Sequence, residues 1–263
     1  MEKTAVSNAC IFLFDALYII KYIGMIKEQV QGRHAVKKFN TLTHKVYWWL
    51  IWLMLDSEIV PGQRLVFADI ARRLNVSRTP VNNALAILAQ EGYLDFVPNQ
   101  GYAVHRLNRQ EKQDLYEIRE AIEVGFIGQA IRKMTDTMLK NLTQRMIKLE
   151  TLISGSFNRQ VFLLDMELHE EFLNMAGNYN LSSHYREICQ KIYIGFRPDD
   201  LPTTRISDLQ KEHEDLLGAV GLKDTDRAKK ILHEHRIILE NFERPIIPVP
   251  VFRSRPCRAA PRC

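Results

Sequence analysis

Apolar and polar positions divide the chain into regions with different periodicities. Residues 10–26 are almost continuously apolar, broken by Asp15 and Lys21. Residues 41–107 show helical spacing and then a short two-residue alternation, whereas residues 108–243 keep the helical period throughout. Beyond Arg244 the period disappears into a segment with prolines at 245, 248, 250, 256 and 261.

In the second region, Thr43 can cap a helix running to Leu55, with Val46, Leu50, Leu53 and Met54 inward. Trp48, Trp49 and Trp52 make that helix unusually aromatic, which suits core or interface packing. Pro61-Gly62 turns the chain, and Leu65 starts an apolar entry into a second helix over 67–74, with Ile70, Ala71 and Leu74 inward. Asn75-Val76 makes a tight turn. Ser77 then serves as an N-cap whose hydroxyl can accept from a backbone N–H one turn on, and Pro80 falls in the first turn, where proline is tolerated. Val81, Ala84, Leu85 and Leu88 form the apolar stripe of this third helix, leaving Arg78, Thr79, Asn82, Asn83, Ala86 and Gln90 largely off it. Gly92 closes the helix, residues 93–97 alternate as a strand, residues 98–101 supply turn chemistry, and 102–104 return as a second strand. A helix-turn-helix followed by a two-stranded wing is a winged helix. Its third helix, with arginine and amides near the N-terminus, suits a DNA major groove. Taken alone, that helix also fits a capped surface helix of any globular protein.

The third region opens on Asn108-x-x-Glu111, a capping box. Six helices are expected over 109–133, 136–155, 159–176, 181–196, 204–219 and 225–243, with breaks at Thr135, Gly155-Ser156, Gly177-Asn178, 198–202 and 221–224. Short connections between helices of this length imply an antiparallel bundle. The predicted fold class is therefore mainly α: an N-terminal winged helix-turn-helix with a two-stranded wing over 41–107, and a C-terminal all-α antiparallel helical bundle over 108–243. An N-terminal extension (1–40) and a tail (244–263) flank them.

Four residues in the bundle suggest chemistry. Asp165 and His169 are four apart and share a helix face. His213 lies eight residues before Gly221 and His235 eleven after Asp224, so both stand at similar height above the turn joining the last two helices. One carboxylate and three imidazoles can converge there on a divalent metal: zinc, nickel or manganese. Any one of these histidines, taken singly, could instead be solvated or hydrogen-bonded. His233, two residues from His235, points elsewhere and is not expected to be a ligand.

Composition changes this picture little. The 263 residues, 46% apolar and 25% charged, are those of a globular protein with one large core or two modest ones. The net charge of +5 is uneven: +3 over 1–40, +1 over 41–107, −4 over 108–243 and +5 over 244–263. DNA binding would therefore rest on particular side chains rather than on a uniform positive field. Cys10, Cys189, Cys257 and Cys263 have no paired spacing, which fits a reducing cytoplasm. The apolar run at 10–26 is shorter than the ~20 residues of a membrane span and lacks signal-peptide flanks, so it reads as an amphipathic or buried helix at a subunit contact; no membrane partner is expected. Arg33, His34, Lys37 and Lys38 read as a linker or arm, and the proline-rich tail as irregular chain.

Pro61-Gly62-x-Arg64-Leu65, Ile70-Ala71-x-x-Leu74-x-Val76-Ser77-Arg78-Thr79-Pro80-Val81, Ala84-Leu85-x-x-Leu88, Glu91-Gly92-Tyr93 and Gly101-x-x-Val104 resemble the DNA-binding domain of GntR-family transcriptional regulators. The bundle's Leu115-Tyr116-x-x-Arg119-x-x-x-Glu123, Asp165-x-x-x-His169, Gly177-Asn178, Glu212-His213, Asp224-x-x-x-Ala228 and His235 resemble the FCD effector domain of the FadR subfamily, with the six helices of its VanR-like branch. The resemblance implies that Arg64, Ser77, Arg78 and Thr79 hold phosphates, with Gly101 of the wing also at the DNA. It implies that Asp165, His169, His213 and His235 bind metal and that Arg119 binds the carboxylate of a small organic-acid effector. The alternative for Arg119 is a structural ion pair with Glu123, and Asn178 reads as a helix cap. Double-stranded DNA with a near-palindromic operator and a homodimer follow from the same likeness.

One pair departs from the family. Where it usually has Arg-Glu after the valine, with the arginine reading guanine, this chain has Asn82-Asn83. Asparagine pairs best with the adenine N6/N7 edge, so the operator's inner bases are expected to differ; alternatively Asn82 touches no base and binding is weaker. Two further readings are a helical-bundle metalloenzyme with an accessory winged helix and a metal-only sensor without an organic effector.

Overall fold

A computed structural model describes residues 41–153, 159–196 and 203–240. The expectations for 1–40 and for the tail lie outside the described residues. Among those described, one compact unit comprises 41–54 and 64–103, and the other 55–63 and 104–240.

In the first unit, α1 (Leu42–Leu55) begins two residues earlier than Thr43 would allow as its cap. The cap is Thr41, whose hydroxyl accepts from the His44 N–H (3.3 Å). Val46, Trp49, Leu50 and Leu53 of α1 are buried in the core, as are Ile70 of α2 (Phe67–Leu74) and Val81, Ala84, Leu85 and Leu88 of α3 (Arg78–Gln90). The turn between α2 and α3 uses Asn75 at φ 51°, ψ 47°, a left-handed conformation that asparagine tolerates, and Val76 N–H donates back to Ala71 O (3.0 Å).

Ser77 occupies the N-cap position of α3 but makes no side-chain capping bond, contrary to expectation. The reason is Pro80. It sits at the third helical position, whose N–H is a usual target of the cap hydroxyl, and proline has none.

The wing also differs. Its sheet has three strands, not two, in the order β1–β3–β2: β1 (Arg64–Leu65), β2 (Leu94–Val97) and β3 (Gly101–Val104). Leu65 is thus not the entry to a helix but a strand residue, with Arg64 opposite Ala103 and Leu65 opposite Tyr102, antiparallel. Two turns of the same design frame the sheet. Gln63 N–H donates to Val60 O across Pro61 and Gly62 (φ 80°), and Gln100 N–H donates to Val97 O across Pro98 and Asn99 (φ 61°). In each, proline presets the second position and the third takes the positive φ that glycine or asparagine supplies.

The second unit contains six helices among the described residues: α4 (Arg109–Lys133), α5 (Asp136–Leu152), α6 (Arg159–Ala176), α7 (Tyr179–Phe196), α8 (Thr203–Gly221) and α9 (Thr225–Glu240). α4 packs on α6, α7 and α9; α5 packs on α6 and α8; α8 packs on α9. The capping box forms as the sequence predicts: Asn108 Oδ1 accepts from Glu111 N–H (2.9 Å) and Glu111 Oε2 accepts from Asn108 N–H (2.8 Å). α6 ends on Gly177 at φ 80°, and Gln129 and Lys133 of α4 both donate to its Ala176 carbonyl at 2.7 Å, which fixes α6 along α4. No described helix is long and apolar enough to cross a membrane.

Near the end of α7, a Cβ at Gly195 would lie 2.4 Å from Leu107 Cγ and 2.9 Å from its Cδ1. Gly195→Ala is therefore expected to cost about 1–3 kcal/mol through overpacking, measured as a lower midpoint in urea unfolding. An unchanged midpoint would show that Leu107 has space to move.

Candidate functional site

The residues predicted from sequence to face DNA lie at or on α3, β1 and β3 of the first unit. Ser77, Arg78, Thr79, Asn82 and Asn83 are all exposed along the first two turns of α3, opposite the buried Val81–Leu85–Leu88 stripe. Arg64 is exposed on β1. Gly101 opens β3 at φ 88°, and a side chain there would meet Phe67 Cε2 at 3.3 Å, so its glycine has a conformational cause as well. One arginine, two hydroxyls and two amides stand at a helix N-terminus, with Arg64 on β1; such groups can hold phosphate and read base edges.

In the second unit, Asp165, His169, His213 and His235 come together, each no more than 5% exposed, with one ligand atom from each all within 4.8 Å of one another. α6 contributes the first two, one turn apart, and α8 and α9 contribute one histidine each. His169 Nε2 and His213 Nε2 are 3.1 Å apart, and Asp165 Oδ1 lies 3.1 Å from His213 Nε2 and 3.9 Å from His169 Nε2. Neighbouring ligands about 2.0 Å from a tetrahedral ion stand roughly 3.3 Å apart, so the tightest contacts have the spacing of an ion's donors.

The donor set also fits a cation chemically. His235 turns Nδ1 to Glu212 Oε2 (2.7 Å), leaving its buried Nε2 without a partner. Burial, together with the neighbouring His213, His169 and Arg119, lowers His235 to about 4, against the opposing hydrogen bond from Glu212. At neutral pH it is the uncharged imidazole that metal ligation needs. Asp165 is pushed up by burial, yet the hydrogen bond and charge of His213, with His169 and Arg119, hold it well below the usual carboxylate range. It is therefore an ionised oxygen donor.

Arg119 of α4 borders the cluster. Its Nε donates to Glu123 Oε1 (2.8 Å), so the ion pair expected as the alternative does form. Its buried Nη2 has no hydrogen-bond partner and stands 3.7 Å from Asp165 Oδ2. The pair occupies one edge of the guanidinium and leaves donor capacity toward the cluster.

Sequence reasoning named Glu123 only as a partner for Arg119 and Glu212 only beside His213, and did not single out Tyr185. Glu123 reaches beyond Arg119 to His169 Nδ1 (3.1 Å), an ion-pair distance at which the ring is turned off the line of a strong hydrogen bond. Tyr185 of α7 donates its hydroxyl to Glu123 Oε1 (2.5 Å). Glu212 orients His235. The only sequence signal for them was position: Glu123 lies four residues after Arg119, and Glu212 adjoins His213. Cys189, one turn after Tyr185, is buried and its thiol is pushed up to about 12 by burial, so it stays protonated. His233 lies on the exposed side of α9 against Glu120, and Asn178 sits between α6 and α7.

Residues 42–104 match the bacterial regulatory proteins of the gntR family, and residues 114–237 match the FCD domain. The chain is 31% identical over 174 residues to the Nta operon transcriptional regulator of Aminobacter aminovorans, an alignment covering 66% of this chain and 81% of that protein. It is 24% identical over 181 residues to the HTH-type transcriptional repressor RspR of Escherichia coli K12, covering 67% and 78%. Among solved structures, McbR/YncC of Escherichia coli shares the fold with a TM-score of 0.62 at 20% identity, covering 76% of this chain and 97% of that one. A Rhodococcus sp. RHA1 protein described as a GntR transcriptional regulator shares it with a TM-score of 0.64 at 18% identity, covering 75% and 95%. These relatives are regulators rather than enzymes, which removes the metalloenzyme reading. The two domain matches, in this order, and the 31% identical relative place the chain in the GntR family of transcriptional regulators, with a C-terminal FCD domain.

Proposed function

We propose that this regulator binds a near-palindromic operator as a homodimer in the cytoplasm, and that a small carboxylate held together with a divalent metal in the helical unit changes its operator affinity. The observation carrying this reading is the buried quartet of Asp165, His169, His213 and His235, with unpartnered His235 Nε2 inside it and unpartnered Arg119 Nη2 beside it. Asp165 and the three histidines would hold zinc, nickel or manganese. The bound ion would supply a Lewis-acid position for one effector oxygen. Arg119 would donate from Nη2 to the same carboxylate, while its Nε stays on Glu123. Such a ligand shifts the regulator only by the difference in its affinity for the DNA-competent and DNA-incompetent states. Thermal-shift measurements on the full chain with organic acids, each with and without zinc, nickel or manganese, test the reading. A metal-dependent gain with at least one acid supports it, and no stabilisation by any metal or acid sinks it.

Arg64, Ser77, Arg78 and Thr79 would grip phosphates. The Ser77 hydroxyl makes no capping bond and is exposed, which suits that role. Asn82 and Asn83 would read bases. The two roles separate experimentally: Arg78→Ala should weaken binding to all sequences alike and reduce the salt slope by about one unit, whereas Asn82→Ala should cost about 1–3 kcal/mol and relax preference at one base step. Selection from random DNA checks this, with adenine expected opposite Asn82. An operator selected with guanine there, and unchanged by Asn82→Ala, would remove Asn82 from the readout.

A further inference from the structure

The buried oxygen Glu123 Oε1 serves three different helices at once. It accepts from Tyr185 Oη on α7 (2.5 Å) and from Arg119 Nε on α4 (2.8 Å), and it faces His169 Nδ1 on α6 (3.1 Å). Glu123 touches none of the other three clustered residues through any of these contacts. We propose that Glu123 is a positioning residue for the metal site: it turns the Nε2 edge of His169 inward, so that metal affinity depends on a carboxylate outside the ligand set. The inference rests on the metal-binding reading proposed above.

The physical argument starts from the imidazole. A ring with Nδ1 against a carboxylate keeps its proton on that side, leaving the Nε2 lone pair for a metal, and the carboxylate raises the ring's basicity as a ligand. His169 Nε2 is the atom 3.1 Å from His213 Nε2, at the centre of the quartet. A carboxylate can orient a ring only if it is itself held. Tyr185 holds Glu123 from α7 and Arg119 holds it from one turn earlier on α4, and Arg119 does so with the edge of its guanidinium that does not face Asp165. Glu212 plays the parallel part for His235, accepting at 2.7 Å from its Nδ1. Glu212 thus holds His235 by a hydrogen bond, whereas Glu123 stands at ion-pair distance from His169 Nδ1 and also accepts from the arginine assigned to the effector.

Glu123→Gln keeps the shape but removes the negative charge on which Tyr185, Arg119 and His169 converge. Zinc affinity of the purified full chain, measured by competition with a chelator, should fall about 10–100-fold in Glu123→Gln, and by a similar factor in the comparison variant Glu212→Gln. Cobalt substituted for zinc should show a changed visible absorption spectrum in Glu123→Gln, because the His169 ring is no longer fixed. A glutamate that merely supports packing would lower the melting temperature of the metal-free protein and leave both readouts unmoved. Zinc affinity within about twofold of wild type in Glu123→Gln overturns the proposal, whatever Glu212→Gln does. Should Glu123→Gln fail to fold, Tyr185→Phe decides: it frees one side of the carboxylate, so a smaller loss of zinc affinity is expected and none overturns the assignment. If the wild type binds zinc and Glu123→Gln binds it equally well, only this inference falls. If the wild type binds no zinc, nickel or manganese, the metal reading falls with it.

Discussion

His213→Ala should lose the metal-dependent rise in thermal stability expected of the wild-type protein. His213 Nε2 stands 3.1 Å from both His169 Nε2 and Asp165 Oδ1, so it occupies the middle of the donor set rather than its margin. At a free metal concentration 100 times Kd, a ligand stabilises the folded state by about 2.7 kcal/mol; weakening the site about 100-fold leaves roughly 0.4 kcal/mol at the same concentration. The comparison must be made with and without metal for each protein. His213 also contributes the hydrogen bond and charge that hold the buried Asp165 carboxyl low, so its loss destabilises the metal-free chain too. A rise with metal as large in His213→Ala as in wild type would mean that the ion binds elsewhere.

Leu85→Ala should abolish operator binding without touching any residue assigned to DNA. Leu85 is 0% exposed and lies on the α3 stripe with Val81, Ala84 and Leu88. Removing a buried leucine to alanine costs about 2–5 kcal/mol, a large part of the ~5–15 kcal/mol that stabilises a domain. The expected result is a lowered melting transition for the first unit, a second transition near its wild-type temperature, and loss of DNA binding by gel shift. Ala86→Ser is the comparison: Ala86 is exposed on the same helix, and a change there should stay within about 0.5 kcal/mol. Retention of full DNA affinity by Leu85→Ala would show that α3 does not need this stripe to stay folded on the operator.

The helical period, the glycines and the caps made most elements legible before the structure. The bounds expected for α2, α4 and α6 coincide with those observed, because Asn75, Asn108, Thr135 and Gly177 mark ends through local chemistry. The quartet was legible for a similar reason: helical rise and one short turn place His213 and His235 level, and their ring centroids are 5.1 Å apart. β1 was not legible. Two residues carry no period, and what makes them a strand is the distant pairing with Ala103 and Tyr102. The missing Ser77 bond could have been read, since Pro80 was in view three positions on, but a capping residue and a first-turn proline are each favourable alone and conflict only together. The Glu123 cluster was legible only in part. The four-residue spacing gives Arg119, while Tyr185 lies 62 positions away and only the packing of α7 on α4 brings it there.

The turn between α1 and β1 bears on how such regulators could be rebuilt. Gly62 N–H donates to Val104 O (2.7 Å), Val104 N–H donates to Gln63 O (2.9 Å), and Arg106 Nη2 reaches Pro61 O (3.3 Å). Leu55–Gln63 thereby belongs to the same compact unit as the helices, although the family match for the DNA-binding domain runs straight through it. A chimera spliced at the end of the wing, to give this sensor a different reader, would hand that turn to a foreign sequence. The graft with the better prospect keeps Leu55–Gln63 with the helical unit that starts at Val104, and exchanges only 41–54 and 64–103.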